Sequence, residues 1–295
     1  MEQNKNIIAL GFFDGVHLGH QALLSACVNM AKQGEMTPCA ITFAAHPQSL
    51  FSEDVPRTIQ TAADREMLLR EFGMEEVLTL PVTKEVMSTD WQAFLERLLA
   101  DGAAGFVCGS DFRFGAGGSG TAEKLASYCK EHGLACAIVP EQTLDGIRIS
   151  STHVRKLLEQ GQMEEAARFL GHPHILSGQV TTGRQLGRTL GIPTANILIP
   201  EGVVVPKHGV YACQAQVQGQ KFAAVTNIGN RPTVGGHRVT VEPWLLDFQG
   251  DLYGENLTLE FYKFLRPERK FDSLEELKAE IRENACQTRE FFEKR

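Results

Sequence analysis

The stretch ALGFFDGVHLGHQALL, residues 9–24, decides the reading of the first half of the chain. An apolar run from Ile7 to Leu10 ends at Gly11, a glycine-bearing turn follows, and the spacing from about Gly19 to Gln33 predicts a helix. His17 and His20 stand at that junction, three residues apart and so on one helical face. Backbone N–H groups and the dipole at a helix N-terminus favour an anion. Imidazoles placed there can donate to phosphate oxygens and stabilise the charge that grows as phosphorus is attacked. A bare His-x-x-His pair is equally compatible with a metal or with packing. The strand, turn and helix around it point to nucleotide phosphates.

Working outward, strand and helix alternate. Strands are expected at Thr37 to Phe43, Glu76 to Leu80, Gly105 to Gly109 and Ala135 to Val139. Helices are expected at Ala62 to Phe72, Thr89 to Asp101 with a Thr89 or Asp90 cap, and Ala122 to His132. This alternation implies an α/β domain, a Rossmann-like parallel sheet covered on both faces. Ligands of such sheets bind at the carboxyl ends of the strands. GFFDGVHLGH and GSDFRFG (residues 109–115) both follow strands, so they should meet there.

From Ser150, SSTHVRKLLEQGQMEEAARFLG reads as two short helices broken at Gly161. After Gly171 the texture changes to short period-2 runs rich in Val, Ile, Thr and Gly, including SGQVTTG, GVYACQAQVQGQKFAAVTNIG and HRVTVEPWLLDF. These suggest a small, mostly-β barrel with a hairpin turn at Gly219-Gln220. A terminal helix spans Ser273 to Phe292, with Ser273 and Glu276 in capping-box spacing. The boundary falls near Gly171 to Pro173, giving domains at 1–170 and 173–295.

Composition narrows the function classes. The chain has 295 residues, 43% hydrophobic and 22% charged, ordinary for a globular protein. A net charge of -7 argues against general affinity for nucleic acid. No apolar run approaches the roughly 18 residues of a membrane span. Gly11 and Asp14 interrupt any signal-peptide core, so a cytoplasmic protein without membrane partners is expected. The seven cysteines include no CxxC pair and read as scattered reduced thiols.

GFFDGVHLGH resembles the signature of the nucleotidyltransferase superfamily that shares the HxGH motif. ISSTHVR, residues 149–155, resembles that superfamily's second signature, ISSTxxR. The resemblance implies that Ser150, Ser151, Thr152 and Arg155 contact ATP phosphates, and that His17, His20 and Arg155 are catalytic. Hydroxyls and N–H groups before a helix, followed by a cation, do form an anion cradle, although SST can also be a helix N-cap. Gly11, Phe12 and Asp14 belong to the same nucleotide-binding turn. GSDFRFG matches the family's GxDFRFG, which implies contacts near adenosine and flavin from Gly109, Asp111 as a polar anchor and Phe112 as an aromatic wall. One departure stands out. Residues 42–47 read TFAAHP where many relatives read TFDPHP, so Ala44 and Ala45 remove an acidic group. His46 either points to the site or caps a turn before Pro47.

GRQLGRTLGIPTANI, residues 183–197, resembles the riboflavin kinase signature GRxLGxPTAN. Pro193 fixes φ, so the Thr194 hydroxyl and Asn196 amide can converge on one point. Two neutral oxygens, with ATP phosphates and water, suit Mg²⁺. Gly183, Gly187 and Gly191 let backbone N–H groups approach phosphate, and Arg184 and Arg188 can neutralise charge. TNIGNRPTVGG (226–236) resembles the family's NIGxRPT loop and implies a flavin contact from Asn230. TVEPWLLDFQGDLYGENL (240–257) resembles VExHLLDFxxDLYG, which maps the general base for the ribityl hydroxyl onto Glu242. Pro243-Trp244 replaces the usual x-His there. FLRPERKFDSLEEL (264–277) resembles LRxExKFxSxxxL and implies that Arg266 and Glu268 border the flavin.

These motifs run in order along nearly the whole chain and resemble the bifunctional riboflavin kinase and FMN adenylyltransferase family, the bacterial FAD synthetases. The resemblance implies phosphorylation of riboflavin by ATP to FMN, then adenylylation of FMN by ATP to FAD with release of pyrophosphate. The implied partners are riboflavin, FMN and ATP with Mg²⁺, in a monomer or weak homo-oligomer. Three other readings stay open. One module alone is active, with TFAAHP weighing on the adenylyltransferase. The chain is a flavin- or nucleotide-binding regulator on the same scaffold. Or adenylyl transfer goes to another acceptor, which leaves the second half unexplained.

Overall fold

A computed structural model describes residues 5–52, 54–181, 192–233 and 236–295. The chain folds into two compact units, Met1–Thr58 with Ala62–Ser151, and Ile59–Thr61 with Thr152–Arg295.

The first unit contains β1 (Asn6–Leu10), α1 (Leu18–Gln33), β2 (Thr37–Phe43), α2 (Ala62–Glu71), β3 (Glu76–Leu80), α3 (Lys84–Met87), α4 (Trp91–Ala100), β4 (Ala103–Gly109), α5 (Ala122–Glu131) and β7 (Ala135–Val139). Two-residue strands β5 (Arg113–Phe114) and β6 (Gly120–Thr121) pair with each other, as do β8 (Thr143–Leu144) and β9 (Ile147–Arg148). The main sheet has the order β3-β2-β1-β4-β7, with every pair parallel. β1 is buried from Ile7 to Leu10 because both its faces are covered, so its sequence is continuously apolar. Ile8, Leu10, Ile41 and Phe106 meet Leu95 of α4 and Leu125 of α5 in one core. The strand order reverses between β1 and β4, and GFFDG and GSDFRFG leave those two strands. That reversal opens a crevice at the carboxyl edge of a doubly wound sheet.

The second unit takes most of α6 (Ser151–Gln160), then α7 (Met163–Leu170), β10 (His174–Gln179), β11 (Ile197–Leu198), β12 (Gly209–Val217), β13 (Gln220–Thr233), β14 (Gly236–Leu245), β15 (Asn256–Arg266) and α8 (Leu274–Glu293). Among the described residues its sheet has six strands in the order β10-β15-β12-β13-β14-β11, every pair antiparallel. The edge strands β10 and β11 approach each other, and Thr181 N–H donates to the Asn196 carbonyl at 2.9 Å, so the sheet nearly closes into a barrel.

Three local expectations shift. The β12–β13 turn is Gln218-Gly219, not Gly219-Gln220, because Val217 pairs with Gln220. A two-residue hairpin of this kind needs positive φ at both central positions, and Gln218 (51°) and Gly219 (75°) supply it. The strand expected in SGQVTTG begins earlier, at His174, and ends at Gln179, where its pairing with β15 ends. Ser273 caps α8 by accepting from Glu276 N–H at 3.1 Å, but the Glu276 carboxylate returns to Asp272 N–H at 3.2 Å rather than to Ser273.

Candidate active sites

The turn after β1 is strained. Phe13 (φ 56°), Gly15 (86°) and Val16 (39°) all have positive φ, which for the two side-chain-bearing residues costs on the order of 1–3 kcal/mol each. Side chains from three elements hold it. Thr42 of β2 donates to the Phe12 carbonyl, Ser151 at the start of α6 to that of Asp14, and Gln21 of α1 to that of Val16, each at 2.8 Å. Phe13 and Val16 are fully buried beneath it. A strained loop held this firmly presents its next residues in one orientation.

Those residues are the histidines. His17 caps α1, its Nδ1 accepting from His20 N–H at 3.3 Å. The two rings stack at 3.6 Å between centroids and 11° between planes. An accepting Nδ1 carries no proton, so the N–H of the neutral His17 ring is on Nε2. Among the described residues His20 Nδ1 is buried without a hydrogen-bond partner. Burial first, then His17 and Arg65, hold the His20 pKa well below its ordinary value. His20 is therefore neutral at pH 7, and an incoming polyphosphate would oppose that shift.

Arg65 of α2 is a buried cation at this turn that the motifs did not single out. It is 1% exposed, its guanidinium lies 4.7 Å from the Phe12 ring centroid, and it donates to the Phe43 carbonyl. Burial lowers its pKa, and the charge of buried Asp14 opposes that shift. The signal was available, since Arg65 shares the apolar helical face of Leu68 and Leu69. His46 takes the turn role expected as one of its two alternatives. Its Nδ1 caps a 3₁₀ turn by accepting from Gln48 N–H at 3.2 Å, and its ring meets Phe12 edge-on at 5.2 Å. Ala44 and Ala45 beside it are exposed.

Gly11 and Phe112 line an apolar cavity of about 160 Å³ with Leu10, Ile41, Phe43 and Phe114, at the carboxyl ends of β1 and β2. Gly109 ends β4. Asp111 is exposed and paired with Arg148 at 2.7 Å, which also holds Glu141 at 2.7 Å. Ser150 and Ser151 stay with the first unit, whereas Thr152 and Arg155 fall beyond the division. Arg155 donates to Thr152 Oγ1 at 3.1 Å, one helical turn back.

In the second unit two cavities share Thr194. One, about 580 Å³, is lined by Val180, Pro193, Thr194, Phe248, Asp251 and Tyr253, among others. The other, about 400 Å³, includes Thr194, Asn227, Glu242, Trp244, Arg266 and Glu268. Strand register explains the second. Asn227 pairs with Glu242 and Val225 with Trp244, so alternate residues of β13 and β14 share one face. Thr240 Oγ1 donates to the Glu242 carboxylate at 3.3 Å. Asn227 Nδ2 reaches Glu268 Oε1 at 3.5 Å, and that carboxylate occupies the space a Cβ at Gly229 would need. Arg266 is braced by α8, with Nε 2.8 Å from Glu280 and 3.1 Å from Asn284. Burial lowers its pKa while Glu280 opposes the shift. Asn230 pairs with Val239 on the opposite face and is exposed, so Asn227 takes the place expected for it in the cavity. Asn196 is 8% exposed, two residues from Thr194. Gly183, Arg184, Gly187, Arg188 and Gly191 lie outside the described residues.

The sequence model of the FAD synthetase family matches residues 1–153, and that of riboflavin kinase matches residues 170–292. A bifunctional riboflavin kinase/FMN adenylyltransferase of Listeria monocytogenes is 34% identical over 98% of this chain and 93% of its own. The chain belongs to that bifunctional family. The Escherichia coli K12 member of the riboflavin kinase/FMN adenylyltransferase family is 37% identical over 97% of this chain and 92% of its own. A crystal structure described as a macrolide-efflux protein from Streptococcus pneumoniae shares the fold at TM-score 0.86 and 31% identity, over 98% of this chain and 95% of that one. Among the described residues no helix is long and apolar enough to cross a membrane.

Proposed function

We propose that this chain converts riboflavin to FMN and FMN to FAD, with ATP as the donor in both steps. The observation that carries the reading is that one chain holds both a strained His-bearing turn at a sheet's switch point and a pair of cavities joined at Thr194. We assign adenylyl transfer to residues 1–170 and the kinase to 173–295, a partition the two family matches support.

In the kinase, Glu242 takes the proton of the ribityl hydroxyl as that oxygen attacks the γ-phosphorus, and ADP leaves. Thr240 holds the Glu242 carboxylate in place. ATP occupies the larger cavity and riboflavin the smaller, with Thr194 at their junction. Thr194 and Asn196 offer neutral oxygens that fit Mg²⁺ held mainly by ATP phosphates. Bound there, Mg²⁺ would supply charge neutralisation on the transferring phosphoryl group.

In the adenylyltransferase, a phosphate oxygen of FMN attacks the α-phosphorus of ATP, the P–O bond to the β-phosphate breaks, and pyrophosphate leaves. The N-terminus of α1 and the two imidazoles stabilise the charge. The apolar cavity lined by Phe112 and Phe43 takes the flavin ring of FMN. Gly11, Phe12, Asp14, Gly109, Asp111 and Ser150 shape the nucleotide site around it. The substrates are soluble small molecules, and the enzyme works in the cytoplasm as a monomer or weak homo-oligomer.

A chromatographic time course with riboflavin, excess ATP and Mg²⁺ tests the reading. FMN should rise and give way to FAD. His17→Ala with His20→Ala should abolish FAD and spare FMN, and Glu242→Gln should abolish FMN formation while FMN supplied directly is still adenylylated. Wild-type protein that stops at FMN would leave only the kinase, with exposed Ala44 and Ala45 in place of the family's acidic residue as the cause. Riboflavin and FMN both unchanged would overturn both activities.

A further inference from the structure

Trp244 stands where the family pattern has histidine, and nothing in the two reactions as described uses it. It lies two residues beyond Glu242 on the same face of β14 and lines the same cavity. It is partly buried and packs against the apolar cluster of Val210, Val225, Leu246 and Ala285, which anchors the indole. The other aromatic ring of this cavity, Phe271, is covered by cations, with Arg269 4.7 Å and Arg266 5.5 Å from its centroid. Among the described residues Trp244 has no stacked, edge-on or cation partner of that kind. Trp244 is thus the electron-rich ring left available to a planar ligand.

Spacing supports the same conclusion. Same-face neighbours on a strand are separated by about 7 Å. A ring held at Trp244 would therefore project an attached polyol chain toward Glu242, which must meet its terminal hydroxyl. Thr240 fixes the Glu242 carboxylate, so the distance from ring to base is set by one strand.

We propose that Trp244 is the binding residue against which the isoalloxazine ring of riboflavin stacks, and that it gives the kinase its selectivity for the ring. The proposal rests on the kinase reading above. Isoalloxazine is electron-poor and indole electron-rich, so stacking is favourable and quenches flavin emission by electron transfer at contact distance.

The test compares full-length wild type, Trp244→Phe and Trp244→Ala. Equilibrium dialysis gives riboflavin binding, emission of the bound fraction gives ring contact, and steady-state kinetics give KM for riboflavin and for ATP. Wild type should hold riboflavin dark. Trp244→Phe keeps an aromatic wall, so it should bind riboflavin within a few-fold of wild type and leave it bright. Trp244→Ala should raise the riboflavin KM about tenfold, with the ATP KM changed less than about twofold. Riboflavin that stays dark in Trp244→Phe, is bright in wild type, or keeps its KM in Trp244→Ala would overturn the assignment while leaving the kinase intact. Wild type that neither binds nor phosphorylates riboflavin would overturn the kinase reading and this one with it.

Discussion

Ser151 illustrates how one side chain serves two demands. Its place in ISSTHVR implies by resemblance a contact with phosphate, yet its hydroxyl proton is already given to the Asp14 carbonyl at 2.8 Å. The oxygen lone pairs stay available as acceptors, but the donor is spent on the strained turn. Ser151→Ala should therefore lower FAD formation from FMN by about tenfold and cost about 1 kcal/mol of stability. An unchanged rate would mean that Gln21 and Thr42 hold the turn without it. Arg65 carries a larger stake. Arg65→Met removes the donor to the Phe43 carbonyl together with the charge that acts on buried Asp14, and should cost about 1–3 kcal/mol of stability in urea unfolding. Arg65 also depresses the His20 pKa, so removing its charge should raise that pKa. If neutral His20 is the active form, the acid limb of the pH–rate profile for FAD formation should then move to higher pH in the folded fraction. A lowered rate with an unmoved acid limb would reduce Arg65 to a packing role.

At the scale of elements, β10 carries a built-in acid sensitivity. His174 is 2% exposed beneath Phe261, and among the described residues both ring nitrogens lack hydrogen-bond partners. Burial first, then His172, pushes its pKa from 6.5 down to about 3. The folded chain keeps the ring neutral while the unfolded chain protonates it below 6.5. Stability from this residue is thus complete above pH 6.5 and falls as pH drops toward 3, by about 1.4 kcal/mol per pH unit. His174→Leu should match wild type near pH 7 in urea unfolding and exceed it by about 2 kcal/mol at pH 5. Parallel acid slopes for the two proteins would show that the ring escapes burial before it titrates. The elements themselves were legible because each carries its own period or cap. β1 is apolar throughout, Asp90 and Ser273 cap α4 and α8, and Gly161 breaks α6 from α7. Asn227 was not legible in place of Asn230. NIGNRPT reads as a loop, and only the continuous pairing of β13 from Gln220 to Thr233 fixes which asparagine faces the cavity. Arg65 escaped for a different reason. A charged residue on an apolar stripe reveals burial, but its partners Phe12, Phe43 and Asp14 come from distant positions that only the sheet brings together.

At the scale of the molecule, two reactions share one chain but draw on separate residue sets. The proposed adenylyl transfer depends on His17 and His20, which sit in the first unit, and the proposed phosphorylation on Glu242, in the second. FMN is the product of one reaction and the substrate of the other, so a diffusible FMN can connect two molecules as well as two sites. A protein carrying His17→Ala and His20→Ala, mixed with one carrying Glu242→Gln, should make FAD from riboflavin although neither does so alone. The mixture should show a lag while FMN builds up in solution, and the lag should lengthen on dilution because adenylylation then waits on the bulk FMN concentration. Added FMN should abolish the lag without changing the final rate. A mixture that accumulates FMN and no FAD, while the Glu242→Gln protein alone adenylylates supplied FMN, would show that FMN is not released from the kinase in usable form. Failure of the Glu242→Gln protein on supplied FMN would instead show that the first unit depends on an intact second one.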